Sequence, residues 1–175
     1  MNMPLPLRKF MLTAHITTSV GWLGAVAGFL TLSVSGLINR DAQLARASYL
    51  SMELLAWYVI VPLSFASLLT GLIQSLGTTW GLFRHYWIVF KLIINVASSF
   101  LLLVHMQPIT RLASIAAQTT VVTNDHHLLQ IQLVADASYA LVALLVATTL
   151  SVYKPRGLTS YGWRKQHERR MLTQP

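Results

Sequence analysis

The stretch Leu12–Leu30, LTAHITTSVGWLGAVAGFL, runs for nineteen residues with one ionisable side chain, His15. A helix rises ~1.5 Å per residue, so roughly 20 apolar residues cross the ~30 Å hydrocarbon core of a bilayer. This stretch therefore predicts a membrane-crossing helix. Followed outward, the run extends from Phe10 to Ile38, and three more apolar runs come after it: Leu54–Leu76, Trp87–Met106 and Leu128–Val152. The first is too long for the apolar region of a cleavable secretory signal and has no evident small-residue cleavage site, so it reads as a permanent span. The composition agrees: the chain is 54% hydrophobic and 10% charged, whereas a soluble domain carries ~25% charged residues to cover its surface. The expected fold is all-α, a four-helix transmembrane bundle over residues 1–153, followed by a basic tail over residues 154–175. The absence of cysteine excludes disulfides, thiolate metal sites and covalently attached c-type haem.

Four spans put both termini on one side of the membrane. That side holds Arg8, Lys9, Arg84, Lys154, Arg156, Arg164, Lys165, Arg169 and Arg170, and the other holds Arg40, Arg46 and Arg111. Positive residues near span ends mark the cytoplasmic side, so both termini are expected in the cytoplasm, in a multi-pass membrane protein. In the tail, Tyr161 and Trp163 lie among basic residues beside a span. That pattern points to anionic lipid headgroups rather than nucleic acid.

The outer connections are the longer ones. Residues from Asn39 predict a short interfacial helix capped by Asp41, and Asp125 is a candidate cap for the fourth span. Pro108 is expected to limit the third span, and Pro62 to kink the second. The segment GTTWGLFRH, Gly77–His85, predicts a tight turn that makes spans two and three antiparallel neighbours. Gly24 with Gly28, and Ser67 with Gly71, supply small-residue pairs that permit close helix packing.

The polar residues inside the spans carry the chemistry. Lys91, Asn95, Ser98, Leu102 and His105 share one face of the third span, and His15, Thr18, Trp22, Ala25 and Phe29 share one face of the first. Gln132, Asp136 and Tyr139 align on the fourth. A charge in hydrocarbon costs ~2.5–3.5 kcal/mol or more, so these faces are expected to point into the bundle. Counted from Lys9 and Arg84, His15 and Lys91 both lie ~9–10 Å deep. Glu53, His105, Asp125, His126 and His127 gather at the other end, with Asp136 ~12 Å beyond the start of its helix. Snorkelling accounts for Lys91 as readily as a site does. Asp136 is too deep to cap and too short to snorkel, so it needs a proton, a cation or a hydrogen-bonding partner.

The segment AHITTSVGWLGAVAGF, with its His-x6-Trp spacing, resembles the first span of the HemJ-type protoporphyrinogen oxidases and the CopD-like copper-resistance membrane proteins. RHYWIVFKLIINVASSFLLLVHMQP is similar to segments of four-span bacterial membrane proteins, many from actinobacteria, that are grouped as a domain of unknown function. The first resemblance implies haem b as cofactor, with His15 as the metal ligand, Trp22 packed beside the porphyrin, and Lys91 as the charged partner of a propionate or substrate. His105 lies fourteen residues after Lys91, ~21 Å along a helix, so His15 and His105 are not expected to share one haem.

Three functions follow from these residues. The first is a haem-binding redox or haem-handling membrane protein. The second is a small ion- or proton-coupled transporter in which Asp136, Lys91 and the outer histidines form a relay. The third is an accessory subunit that joins a homo-oligomer or a larger membrane complex through its small-residue faces.

Overall fold

A computed structural model describes residues 3–77, 82–118, 127–155 and 157–173. Its elements in chain order are α1 (Leu5–Ile38), α2 (Ala42–Leu55), a π-helical turn (Ala56–Ile60), α3 (Val61–Gly77), α4 (Tyr86–Gln118), α5 (His127–Tyr153) and α6 (Ser160–Thr173). Among the described residues there is no strand, and one isolated bridge pairs His85 with Leu158. Four helical rods are long and apolar enough to cross a bilayer: α1, the continuous rod Ala42–Gly77, α4 and α5. Their outward faces carry large apolar side chains such as Phe10, Val20, Leu69, Phe90, Phe100 and Val142. Contiguous exposed apolar surface of that kind is stable against lipid and not against water.

The rods extend well beyond the apolar runs. α1 has 34 residues and is ~51 Å long, far more than the hydrocarbon needs. Asp41 caps α2 as its side chain predicts, with Oδ1 accepting from Gln43 N at 2.9 Å and Leu44 N at 3.5 Å. That helix is not a separate interfacial piece, because it runs through the π turn into α3. In the turn, Val61 N–H bonds to the Ala56 carbonyl, five residues back. Pro62 follows at once. It offers no N–H to the Tyr58 carbonyl and crowds it, and the widened turn relieves that crowding.

Pro108 does not limit the third span: α4 continues through it to Gln118. Past the proline, Ile109, Leu112, Ala113 and Ala116 are all at most 4% exposed. Burying one large aliphatic side chain contributes ~1.5–3 kcal/mol, so two of them offset the ~3 kcal/mol cost of an interior proline. The partner surface comes from α2, and Arg46 Nη2 also donates to the Ala117 carbonyl at 3.1 Å, satisfying one of the last acceptors of α4.

α1 packs on α3 and α5, and α4 packs on the same two, so α1 and α4 face each other across the bundle. At the end away from the termini, α1, α2 and α4 form a dense core that includes Phe29, Tyr49, Met52 and Leu112. At the end that holds the termini, the bundle is hollow. The basic tail folds into α6 and is tied back to the α3–α4 connection. Thr159 N donates to the Arg84 carbonyl at 3.1 Å, the Thr159 hydroxyl donates to the Phe83 carbonyl, and Tyr86 N donates to the Gly157 carbonyl at 3.4 Å. Thr159 also caps α6 by accepting from Gly162 N at 3.1 Å. A side chain at Gly162 would collide with the Arg84 carbonyl oxygen, which explains the glycine there.

The small-residue pairs behave differently from one another. Gly24 has nothing within 4 Å of where a Cβ would stand, so it brings no helix close. The close approach on α1 is at Gly36, which meets the Tyr49 ring. Gly71 faces His15, and Ser67 is buried beside it. α3 and α4 are packed neighbours, as the short Gly77–His85 connection predicts. Thr78–Gly81, Asp125 and His126 lie outside the described residues.

Candidate intramembrane cavity and its polar residues

His15 enters the bundle from α1 and is held by two other helices. On the α3 side its Nδ1 lies 3.1 Å from the Ser67 carbonyl and 3.2 Å from Thr70 Oγ1. Thr70 donates its own hydroxyl hydrogen to the Ala66 carbonyl at 2.6 Å, so toward His15 it is an acceptor. Two acceptors at Nδ1 place the imidazole hydrogen on that atom. Nε2 therefore presents its lone pair, which accepts from Lys91 Nζ at 3.2 Å across the bundle. The level placement expected from the sequence becomes a direct His15–Lys91 contact between α1 and α4.

Ser67 and Thr70 share one face of α3 with Gly71. The missing side chain at Gly71 leaves room for the imidazole: a Cβ there would stand 3.0 Å from His15 Cε1. Ser19 adds a second tie between α1 and α3, with its hydroxyl 2.8 Å from that of Ser67. These partners are invisible in a reading that treats Ser67 and Gly71 as packing alone. The signal available in the sequence is the run of small and hydroxyl residues at positions 67, 70 and 71, at a depth that matches His15.

The pair stands in a cavity of about 640 Å3 formed by α1, α3, α4 and α5 at the termini end. That is within the ~300–1,000 Å3 range of small-molecule sites. Its walls are mostly apolar and include Trp22 and Trp87, with Arg8, Lys91 and Lys154 contributing cationic groups. No carboxylate lines it among the described residues. Such a space suits a largely apolar molecule that carries negative charge.

The remaining predicted residues divide into two groups. Trp22, Asn95 and Ser98 are buried. Trp22 and Asn95 line the large cavity, although the Asn95 amide nitrogen donates to its own helix, to the Lys91 carbonyl at 2.9 Å. His105 meets Asp136, with Nε2 and Oδ2 3.0 Å apart, which supplies the partner Asp136 requires. Tyr139 does not join them. It is 63% exposed, and Gln132 is also exposed, because α5 turns Leu133, Ala137 and Leu144 into the bundle instead. Glu53 on α2 and the exposed His127 are likewise not among the residues around this pair. Among the described residues, no three His, Cys, Asp or Glu side chains converge to hold a metal ion.

Comparison of the chain with protein-family models, curated proteins and solved structures returns no match.

Proposed function

We propose that this chain is a haem b-binding protein of a bacterial cytoplasmic membrane, with both termini in the cytoplasm and a redox or haem-handling role. The observation that carries the reading is the state of His15. Its Nδ1–H is fixed by a backbone carbonyl, and its Nε2 lone pair points into a cavity of about 640 Å3. A metal-ligating imidazole is oriented in that manner by a hydrogen bond to its other nitrogen. In this reading His15 would ligate the haem iron through Nε2, and Lys91 and Arg8 would pair with its propionates. Trp22 and Trp87 form the apolar walls beside the macrocycle. Bound haem supplies one-electron chemistry, while the protein positions it and excludes water. The His-x6-Trp spacing of His15 and Trp22, on which the resemblance to the HemJ-type oxidases and the CopD-like proteins rests, is compatible with the same assignment. The asymmetry of Lys and Arg across the spans supports the orientation. At the cytoplasmic face, α6 presents exposed Tyr161, Trp163 and Lys165 to anionic lipid headgroups.

The test is an absorption spectrum of purified protein titrated with haem in detergent. A saturable Soret band is expected, abolished in His15→Ala and weakened in Lys91→Ala. A spectrum that stays that of free haem, or one unchanged by His15→Ala in a folded protein, overturns the assignment.

A further inference from the structure

The large cavity is walled unevenly. Its lining residues on α3 and α4 are buried or half-buried, whereas on α1 Leu12, Ile16 and Val20 are 44%, 53% and 60% exposed, and on α5 Thr148 and Val152 are exposed as well. The space therefore opens sideways, as a slot between α1 and α5. From Leu12 to Val20 it runs ~12 Å along α1, most of the ~15 Å that one leaflet contributes to the hydrocarbon core. An opening at that depth faces acyl chains and not water. Trp22 and Leu144, the deepest lining residues of the two helices, are buried and close its inner end.

The polar groups along the slot are ordered by depth. The hydroxyls are consumed within the protein: Thr148 donates to the Leu144 carbonyl and Ser151 to the Ala147 carbonyl, each at 2.8 Å, and Ser19 and Ser67 bond to each other. The Lys91 ammonium differs, since it carries three donors and meets one acceptor among the described residues, His15 Nε2. Nearer the surface, Arg8 on α1 and Lys154, just past the end of α5, line the rim. No carboxylate among the described lining residues opposes a negative headgroup. Cations at the rim, an ammonium with donors to spare below them and an apolar wall below that match the phosphate, ester carbonyls and acyl chain of a phospholipid in turn.

We propose that the haem-free protein holds one anionic phospholipid of the termini-side leaflet in this slot. Its phosphate rests on Arg8 and Lys154, an ester carbonyl accepts from Lys91, and one acyl chain lies along Leu12, Ile16 and Val20 with its end toward Trp22. Haem and the lipid would use the same space and exclude one another, but the lipid site does not depend on haem binding.

The full chain is reconstituted without haem into phosphatidylcholine nanodiscs that contain either phosphatidylglycerol or phosphatidylcholine with brominated acyl chains, at equal mole fraction. Bromine quenches tryptophan at short range. Trp57, Trp80, Trp87 and Trp163 are replaced by phenylalanine, so that the emission is that of Trp22, which is buried from the surrounding bilayer. Brominated phosphatidylglycerol is expected to quench Trp22 several-fold more strongly than brominated phosphatidylcholine. Arg8→Gln should raise the phosphatidylglycerol fraction required by roughly fivefold, the equivalent of the ~1 kcal/mol that one cation contributes beside anionic lipid. A Trp22 that neither lipid quenches overturns the proposal, as does equal quenching by the two. If the single-tryptophan chain is not monodisperse, native mass spectrometry of the unaltered chain carries the test. A retained phosphatidylglycerol adduct that Arg8→Gln loses is expected, and equal retention of the two lipids overturns the site.

Discussion

Two glycines on one helix are expected to respond in opposite directions to the same substitution. A Cβ at Gly24 meets nothing within 4 Å, whereas at Gly36 it stands 2.6 Å from Cε1 and Cζ of Tyr49. Optimal carbon contacts lie at ~3.5–4.0 Å, so Gly36→Ala forces an overlap of about 1 Å. Tyr49 is 2% exposed and cannot swing away without disturbing the surrounding core. Overpacking of this kind costs ~1–3 kcal/mol, against a gain of ~1 kcal/mol from replacing glycine by alanine within a helix. Gly36→Ala should therefore be destabilising by up to ~2 kcal/mol and lower the melting temperature by several degrees, at ~2–4 °C per kcal/mol for a chain of this size. Gly24→Ala should raise it slightly. Thermal unfolding in detergent, followed by circular dichroism or tryptophan emission, reads both. A double-mutant cycle isolates the cause, because Gly36→Ala should lose its penalty in a Tyr49→Ala background. A Gly36→Ala protein that melts at or above the Gly24→Ala temperature would refute this packing of α1 against α2.

Gly71→Ala places a methyl 3.0 Å from His15 Cε1, so the imidazole must shift by a few tenths of an ångström. Haem affinity should fall several-fold in an absorbance titration, and an unchanged affinity would show that the Gly71 contact does not set the position of His15. Asp41→Ala removes the cap of α2 and should cost ~1 kcal/mol in thermal unfolding, while Asp41→Asn retains most of the cap. Thr159→Val deletes both the cap of α6 and its hydroxyl bond to the Phe83 carbonyl. Limited trypsin digestion should then cut at Arg164 and Lys165 in α6 more rapidly than in wild type, with the four long apolar rods left intact.

The membrane architecture is legible because hydropathy adds up along the chain. Each of the four apolar runs lies within a helix long enough to cross, and the Asp41 cap is a local event that depends on residues two and three positions away. The candidate site is legible only in part. Depth counted from Lys9 and Arg84 places His15 and Lys91 at one level, and their contact follows once α1 and α4 face each other. Asp136 was identifiable as a residue in need of a partner, but its partner was not. The inner stripe of α4 predicts the inward placement of His105, whereas the apparent stripe of α5 misplaces Tyr139. Three residues spaced by four and three also share a face when that face is the flank of a helix, and rotation about the axis decides which of them turns inward.

The amino-acid sequence by itself determined the solvent, the number of crossings and the asymmetry of basic charge, since each is a sum over neighbouring residues. Only the tertiary structure decided that Gly36 and not Gly24 meets another helix, that Pro108 lies inside α4, that Ser67 and Thr70 set the hydrogen on His15, and that Asp136 belongs to His105. Those outcomes depend on the rotational phase of each helix and on the order of helices around the bundle. Both are set by side-chain fit between segments dozens of residues apart, and no local pattern encodes that fit.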